Sequence, residues 1–224
     1  MLQKSLTTTN ATKYKLDEGK LVVDGSASGV AKKKVNSKDY WFTSNGVMLS
    51  KFYMINDNMY YFGGSDDGAM KTGAQTIKDN TGDSYNFYFY TKDQGSSYQS
   101  SNGKKLYKGA GVIGNQSNKL YYYGMLIQAD DYKYQLATIA NDGVDYSFIV
   151  NSNGTIQHSK STEYKEDGDV LIATGIKDAS GKATETKFVE NGQFKYAISN
   201  EANNWDTVSK NVADIDMSGF VQGK

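Results

Sequence analysis

MYYFGGSDDGAMKTGAQTI, residues 59–77, is the stretch that most clearly indicates how this chain folds. It joins an aromatic run to a polar segment rich in Gly, Asp and Ser, after which apolar residues return. Aromatic residues favour strands, and Gly, Asp and Ser favour turns. The segment is therefore predicted to form a strand, a glycine-closed turn and a return strand.

The same pattern recurs along the chain. Other aromatic or β-branched runs followed by turn residues are Val22-Val23, Tyr40–Phe42, Phe87–Tyr90, Leu120–Tyr123, Phe148–Val150 and Phe188-Val189. Asn-Gly and Asp-Gly pairs, which accept positive φ, punctuate these runs at positions such as 45–46, 67–68 and 153–154. One hairpin is marginal alone, so the repeats predict an all-β fold, a β-solenoid of stacked β-hairpins. A β-sandwich built from the same strands is the alternative.

Residue counts exclude several classes of function. The 224 residues include 25 acidic and 25 basic ones, the basic ones all lysine, so the net charge is zero and nucleic acid is not an expected partner. Without cysteine the chain has no disulfide, thiolate nucleophile or cysteine-based metal site. No apolar run is long enough to span a membrane. The N-terminus lacks the apolar stretch of a signal peptide, so an exported protein would be represented here by a mature form or a fragment.

Catalytic chemistry is not indicated. The one histidine, His158, lies in a polar turn-and-strand context and is interpreted as an exposed turn residue. Acidic pairs such as Asp66-Asp67 and Asp130-Asp131 lie in turns, where Asp is favoured for conformational reasons. Such turns could hold an adventitious Ca²⁺, but no calcium-loop motif occurs. The sequence predicts a protein that is not an enzyme, with no catalytic residues, no cofactor and no dedicated metal site.

The unit YYF-turn-G-x-M-x-T-G resembles the cell-wall-binding and choline-binding repeats of Gram-positive surface proteins. Similar repeats occur in glucan-binding domains and in the receptor-binding ends of clostridial toxins. The resemblance is strong over residues 40–77, moderate over 87–123, weak elsewhere and absent after about Ser199. It implies a β-solenoid over residues 1–199, secreted and associated with the cell wall. Residues 200–224 are expected to be irregular or a short helix, with Trp205, Val208 and Val212 at helical spacing.

The resemblance also implies ligand-binding positions. In the family, aromatic side chains cage a quaternary ammonium. The third position of each strand stays aromatic here, whereas the family's Gly-Trp position holds Lys51-Phe52, Gly73-Ala74 and Gly109-Ala110. The expected ligand-binding residues are Trp41, Phe52, Tyr61, Phe89 and Tyr122.

Side-chain alternation adds an orientation to these positions. It predicts that Tyr60 and Phe62 point inward, as do Tyr40, Phe42, Tyr88, Tyr90, Tyr121 and Tyr123. Trp41, Tyr61, Phe89 and Tyr122 are predicted to point outward or into grooves between repeats. The best groove combines Trp41, Phe52 and Tyr61.

Two functions are compatible with this pattern. The first is a non-catalytic surface module that binds cell-wall polymer, carbohydrate or a choline-like ligand and tethers an exported protein, with other domains of that protein as further partners. The second is a structural or adhesive spacer, or a protein-interaction repeat domain, that has lost its ligand cages. The alanines at positions 74 and 110 favour the second function, and the outward aromatic residues favour the first.

Overall fold

The computed structural model describes residues 8–93, 107–141, 144–157, 164–166, 169–177 and 183–188. These residues form antiparallel strands joined by turns, and no helix occurs among them. The predicted all-β fold is confirmed. His158, Trp205 and the helix expected near the C-terminus lie outside the described residues. The chain divides into two compact units, residues 1–99 with 104–111, and residues 100–103 with 112–224.

The first unit contains a five-stranded sheet in the order β3-β2-β1-β4-β5. Its strands are β1 (Thr9–Asp17), β2 (Lys20–Val35), β3 (Lys38–Phe42), β4 (Phe52–Ile55) and β5 (Asn58–Tyr61). The long β2 pairs with β1 through its first part and with β3 through its last five residues. A separate hairpin follows, made of β6 (Gly73–Lys78) and β7 (Ser84–Phe89).

Three two-residue turns connect the strands of this sheet. They are Glu18-Gly19, Asn36-Ser37 and Asn56-Asp57, and every residue in them has positive φ. Positive φ at both central positions defines the type I′ turn, whose twist matches that of antiparallel strands. The sequence prediction placed the hairpin turns at Asn-Gly and Asp-Gly pairs and missed these three. Their residues carry the weaker signal of polar side chains that tolerate the left-handed region.

A second kind of turn has five residues with glycine in the fourth position. It occurs at 43–47, 79–83 and 151–155. In each, the first residue's amide donates to the fifth residue's carbonyl, and the glycine amide donates to the first residue's carbonyl. The Asn-Gly pairs at 45–46 and 153–154 therefore do reverse the chain, as predicted.

Aromatic rings fill the core of the first unit. Phe52, Phe62, Phe87 and Phe89 each expose 2% or less of their surface. Phe87 and Phe89 lie parallel, with ring centroids 6.0 Å apart. Burying a large aromatic side chain contributes about 1.5–3 kcal/mol, so these rings compensate for the chain's low aliphatic content.

The second unit begins with β8 (Gly114–Gln116), β9 (Lys119–Tyr122) and β10 (Met125–Leu126), in which β9 pairs with both neighbours. Two three-stranded sheets follow in sequence order. The first has β11 (Tyr134–Asn141), β12 (Val144–Asn151) and β13 (Ile156–Gln157). The second has β14 (Tyr164–Glu166), β15 (Asp169–Lys177) and β16 (Ala183–Phe188). A core of Leu120, Tyr122, Ile127, Ala137, Ile139, Phe148, Val150 and Ile156 packs between β9 and the β11–β12–β13 sheet.

Candidate functional site

Strand β3 presents Trp41 beside charged residues. In the antiparallel register Trp41 lies opposite Lys32, and Asp39 lies opposite Lys34. Directly paired residues and residues two apart share a face of the sheet. Trp41, Asp39, Lys32 and Lys34 are therefore on one face, and Tyr40 and its partner are on the other.

The return segment after β5 links β3 to β5. The Met70 amide donates to the Asp39 carbonyl, and the next amide, that of Lys71, donates to the Tyr61 carbonyl. Each N···O distance is 2.8 Å. This places the Trp41 ring 6.2 Å from the Tyr60 ring, at an interplanar angle of 40°. An aromatic pair in this tilted arrangement is favourable and gives the site a fixed apolar surface.

The indole N–H of Trp41 is shielded from solvent and has no hydrogen-bond acceptor. Most buried donors in folded proteins are paired, and an unpaired one costs about 1–3 kcal/mol. The Trp41 side chain as a whole is only half-buried. The site thus contains an aromatic donor without a partner at the margin of the core.

The Asp39 carboxylate forms ion pairs with two lysines beside this ring. The Asp39 Oδ2 atom lies 3.4 Å from the Nζ of Lys32 and 3.9 Å from the Nζ of Lys108. The lysine side chains are 44% and 45% exposed, whereas Asp39 is 14% exposed. Ion pairs this long and this exposed contribute little to stability. Both ammonium groups keep donors directed to solvent, and the site has more positive than negative charge.

Tyr107 adds an exposed ring next to Lys108; it is 46% exposed. Burial raises the pKa of the Tyr60 hydroxyl, and the charges on Tyr107 and Asp93 raise it further by smaller amounts. The Lys108 amide in turn donates to the Asp93 carboxylate over 2.9 Å. We name Trp41, Tyr60, Tyr107, Lys32, Lys108 and Asp39 together the Trp41 cluster.

The predicted groove of Trp41, Phe52 and Tyr61 is divided between two faces. Phe52 pairs across strands with Tyr61, and their rings lie 4.6 Å apart. Trp41 contacts Tyr60, which alternates with Tyr61 along β5 and so points to the opposite face. Phe52 is 2% exposed and lies within the core, whereas Tyr61 remains half-buried.

The predicted outward orientation of Phe89 is wrong. Phe89 is fully buried, and its ring stacks on that of Tyr61 at 6.3 Å. On β7 the buried Tyr85, Phe87 and Phe89 alternate with the exposed Ser84 and Asn86 and the half-buried Tyr88. The prediction took its register from the other aromatic runs, and a shift of one residue exchanges the two faces of a strand.

The outward orientation predicted for Tyr122 is also wrong. Tyr122 is 5% exposed and belongs to the core of the second unit with Leu120 and Phe148. Its neighbour Tyr121, predicted to point inward, is buried as well, because β9 packs on both of its faces. The inward orientation predicted for Tyr60 and Phe62 is confirmed.

Sequence reasoning missed most of the Trp41 cluster. It predicts Tyr60 as a core residue and gives Lys32 and Lys108 no part in a site. The Lys108–Asp39 ion pair joins segments separated by about seventy residues, and no local pattern reports such a contact. A usable signal was the run of three lysines facing the only Tyr-Trp-Phe run across a short turn.

In the part of the chain that the structure describes, no group of three or more His, Asp or Glu side chains could hold a metal ion. No helix of that part is long and apolar enough to cross a membrane.

Among known proteins, similarity to this chain is found only with solved structures. No protein-family model matches the chain, and no curated protein matches it in sequence. Choline binding protein F from Streptococcus pneumoniae, in crystal form II, is 21% identical with a TM-score of 0.33, over 81% of this chain and 49% of that one. CbpF in complex with ipratropium is 20% identical with a TM-score of 0.23, over 73% and 50%. The chain thus spans about half the length of the structures it matches.

Proposed function

We propose that this chain is a non-catalytic module that binds a cell-wall polymer or carbohydrate and so tethers an exported protein outside the cell. The Trp41 cluster is the observation that carries the proposal. There a half-buried indole and an exposed tyrosine lie beside lysine and carboxylate groups that can form hydrogen bonds.

The chemistry of the cluster suits a sugar. The apolar faces of sugar rings pack on aromatic rings, while hydroxyl groups exchange hydrogen bonds with charged side chains. Trp41 and Tyr107 supply rings, and Lys32, Lys108 and Asp39 supply polar partners. Sites of this kind combine apolar surface with a few placed polar groups. One such site on an open surface binds weakly, so useful retention needs several copies acting through high effective concentration.

A structural or adhesive spacer is the second candidate function. It is favoured by the burial of Phe52, Phe89 and Tyr122, three of the five residues at family ligand positions. At those positions the aromatic rings stabilise the core and are not available to a ligand. In this case the Trp41 cluster would be a surface feature without a partner.

Intrinsic fluorescence tests the proposal, because the chain has two tryptophans. A Trp205→Phe variant leaves Trp41 as the single reporter. Titration with solubilised wall polysaccharide, dextran and choline is expected to change its emission with at least one of the polysaccharides. A Tyr132→Ala control removes an aromatic residue that is 41% exposed elsewhere and should leave the response unchanged. A folded protein whose Trp41 emission responds to none of these ligands supports the spacer function.

A further inference from the structure

We propose, building on the binding function above, that the Trp41 cluster recognises an anionic, polyhydroxylated polymer. The ligand class is a sugar or polyol chain that carries carboxylate or phosphate groups. A neutral glycan and a quaternary ammonium compound are the alternatives that the cluster selects against.

Hydrogen-bonding capacity in the cluster is strongly weighted toward donors. Each lysine ammonium has three donors and no acceptor, whereas the tyrosine hydroxyls both donate and accept. Asp39 is the one carboxylate of the cluster, and Lys32 and Lys108 already share its Oδ2 atom at 3.4 and 3.9 Å. The Trp41 N–H is shielded from solvent, so the lysines supply the donors that a ligand can reach. A ligand that complements this set must supply acceptors, and charged oxygens are the strongest.

The charges on this face lead to the same ligand class. Lys32 and Lys34 lie on the face of Trp41 and Asp39, and Lys108 reaches Asp39 from another segment. These three lysine charges exceed the two carboxylate charges of Asp39 and of Asp93, which accepts from the Lys108 amide, although the whole chain is neutral. The positive groups are exposed, so they remain available to attract an anionic ligand.

A quaternary ammonium fits this face poorly. Aromatic rings attract such a cation, but the lysine ammonium groups beside Trp41 repel it. A quaternary ammonium group carries no acceptor, so it cannot accept hydrogen bonds from the exposed lysine ammonium groups. The cluster therefore has the aromatic ring that a cation site needs, but the positive charges of the lysines around it disfavour a cationic ligand.

The test compares four probes on the intact chain. Alginate oligosaccharide carries carboxylates, poly(glycerol phosphate) carries phosphates, dextran is neutral and choline is cationic. Binding is measured by calorimetry and by fluorescence of the Trp205→Phe background at low and high NaCl. We expect an anionic probe to bind at least about tenfold more tightly than dextran or choline, and high salt to remove most of this difference. The relative affinity of the two anionic probes separates a carboxylate ligand from a phosphate ligand.

Matched lysine variants separate local recognition from general charge. Lys32→Gln alone should weaken the preferred anionic probe severalfold, and Lys32→Gln together with Lys108→Gln about tenfold. Lys33→Gln is the matched control for Lys32→Gln: it removes one charge from the neighbouring position, whose side chain shares the Tyr40 face, and should change affinity less than about twofold. Trp41→Ala removes the ring and should weaken the anionic probe severalfold in calorimetry. Near-ultraviolet circular dichroism establishes that each variant is folded.

The outcomes distinguish this inference from the function on which it rests. If dextran binds as well as the anionic probes, and the lysine variants bind like the parent, the anionic inference is overturned and the carbohydrate-binding function stands. Preference for choline overturns it too. If Lys33→Gln loses as much affinity as the Lys32 variant, the attraction is a general charge effect and the cluster is not the site. If no probe binds, both proposals fail.

Discussion

Two aromatic regions of the first unit are built from similar sequence and have opposite roles. In one, Phe52, Tyr61, Phe87 and Phe89 stack in a continuous series of rings with centroids 4.6–6.3 Å apart. In the other, Trp41 contacts one ring and faces lysines. We name the first region the ring stack.

The difference comes from the residues paired across the strands. Tyr61 lies opposite Phe52, so burial of this face removes apolar surface from water. Trp41 lies opposite Lys32, whose ammonium cannot be buried without a large cost. An aromatic repeat position therefore becomes core or surface according to its cross-strand partner, and this partner is not part of the repeat itself.

Removing a ring from the ring stack should have the largest effect on stability. Phe89→Ala deletes a fully buried side chain and should lower the free energy of unfolding by roughly 3–5 kcal/mol. Trp41→Ala should cost clearly less, because its side chain is half-buried. Urea unfolding followed by far-ultraviolet circular dichroism measures both. Equal losses would show that Trp41 belongs to the core.

Gly46 and Gly154 occupy the same position in two different five-residue turns, and replacing each by alanine should have a different effect on stability. Gly46 and Gly154 have φ of +80° and +71°. A Cβ on Gly46 meets nothing within 4 Å, so Gly46→Ala should cost about 1–2 kcal/mol from backbone strain alone. A Cβ on Gly154 would lie 2.5 Å from Leu126 Cδ1 and 2.9 Å from the Ile127 carbonyl oxygen. Gly154→Ala should therefore cost a further 1–3 kcal/mol or so.

Thermal unfolding of both glycine variants gives the measurement. The melting temperature of Gly154→Ala should lie below that of Gly46→Ala. The reverse order would mean that the turn at 151–155 is not held against Leu126.

Ligand binding should also distinguish the two aromatic regions, with a change in binding free energy that is smaller than the changes in stability given above. Trp41→Ala should weaken retention on wall polysaccharide about 2- to 12-fold, because one ring contact is worth roughly 0.5–1.5 kcal/mol. Tyr61→Ala should leave binding unchanged once the loss of folded protein is subtracted, since its ring packs on Phe52 and Phe89. Retention assays on folded protein measure the pair. If Tyr61→Ala weakens retention more than Trp41→Ala does, the ligand binds on the face of the ring stack and not at the Trp41 cluster.

The sequence sufficed for the strand-turn-strand pattern and for the burial of Tyr60 and Phe62. Alternation within one run is a local property, and it predicts these positions well. The register of β7 was wrong although Ser84 and Asn86 carried the local signal, because the prediction followed the repeat template. The approach of Lys108 to Asp39 depends on a contact between distant segments, which no repeat pattern encodes.

The smallest expected effect concerns two turns that share one geometry but differ in a single titratable group. The Asp79 Oδ1 atom accepts the amides of Thr81, Gly82 and Asp83 at 2.9–3.0 Å. In the turn at 151–155, the amide oxygen of Asn151 takes the same position. Desolvation pushes the pKa of Asp79 upward, but hydrogen bonds from the Thr81 hydroxyl and the three amides outweigh it, so the pKa lies below 3.8.

The sign of the pH effect follows from this lowered pKa. A depressed pKa means that folding favours the carboxylate, so the stabilisation is complete above the unfolded value of 3.8 and is lost as pH falls through the lower, folded value. The amide proton shifts of Thr81 and Gly82 should therefore titrate with an apparent pKa below 3.8, whereas the Thr155 amide, which donates to an uncharged Asn151, should report no titration of its own acceptor. Asp79→Asn should make the first turn behave like the second, with this titration removed from the Thr81 and Gly82 amide shifts. A Gly82 titration at or above 3.8 would mean that the amides do not hold the carboxylate in solution, and that the two turns resemble each other only in backbone geometry.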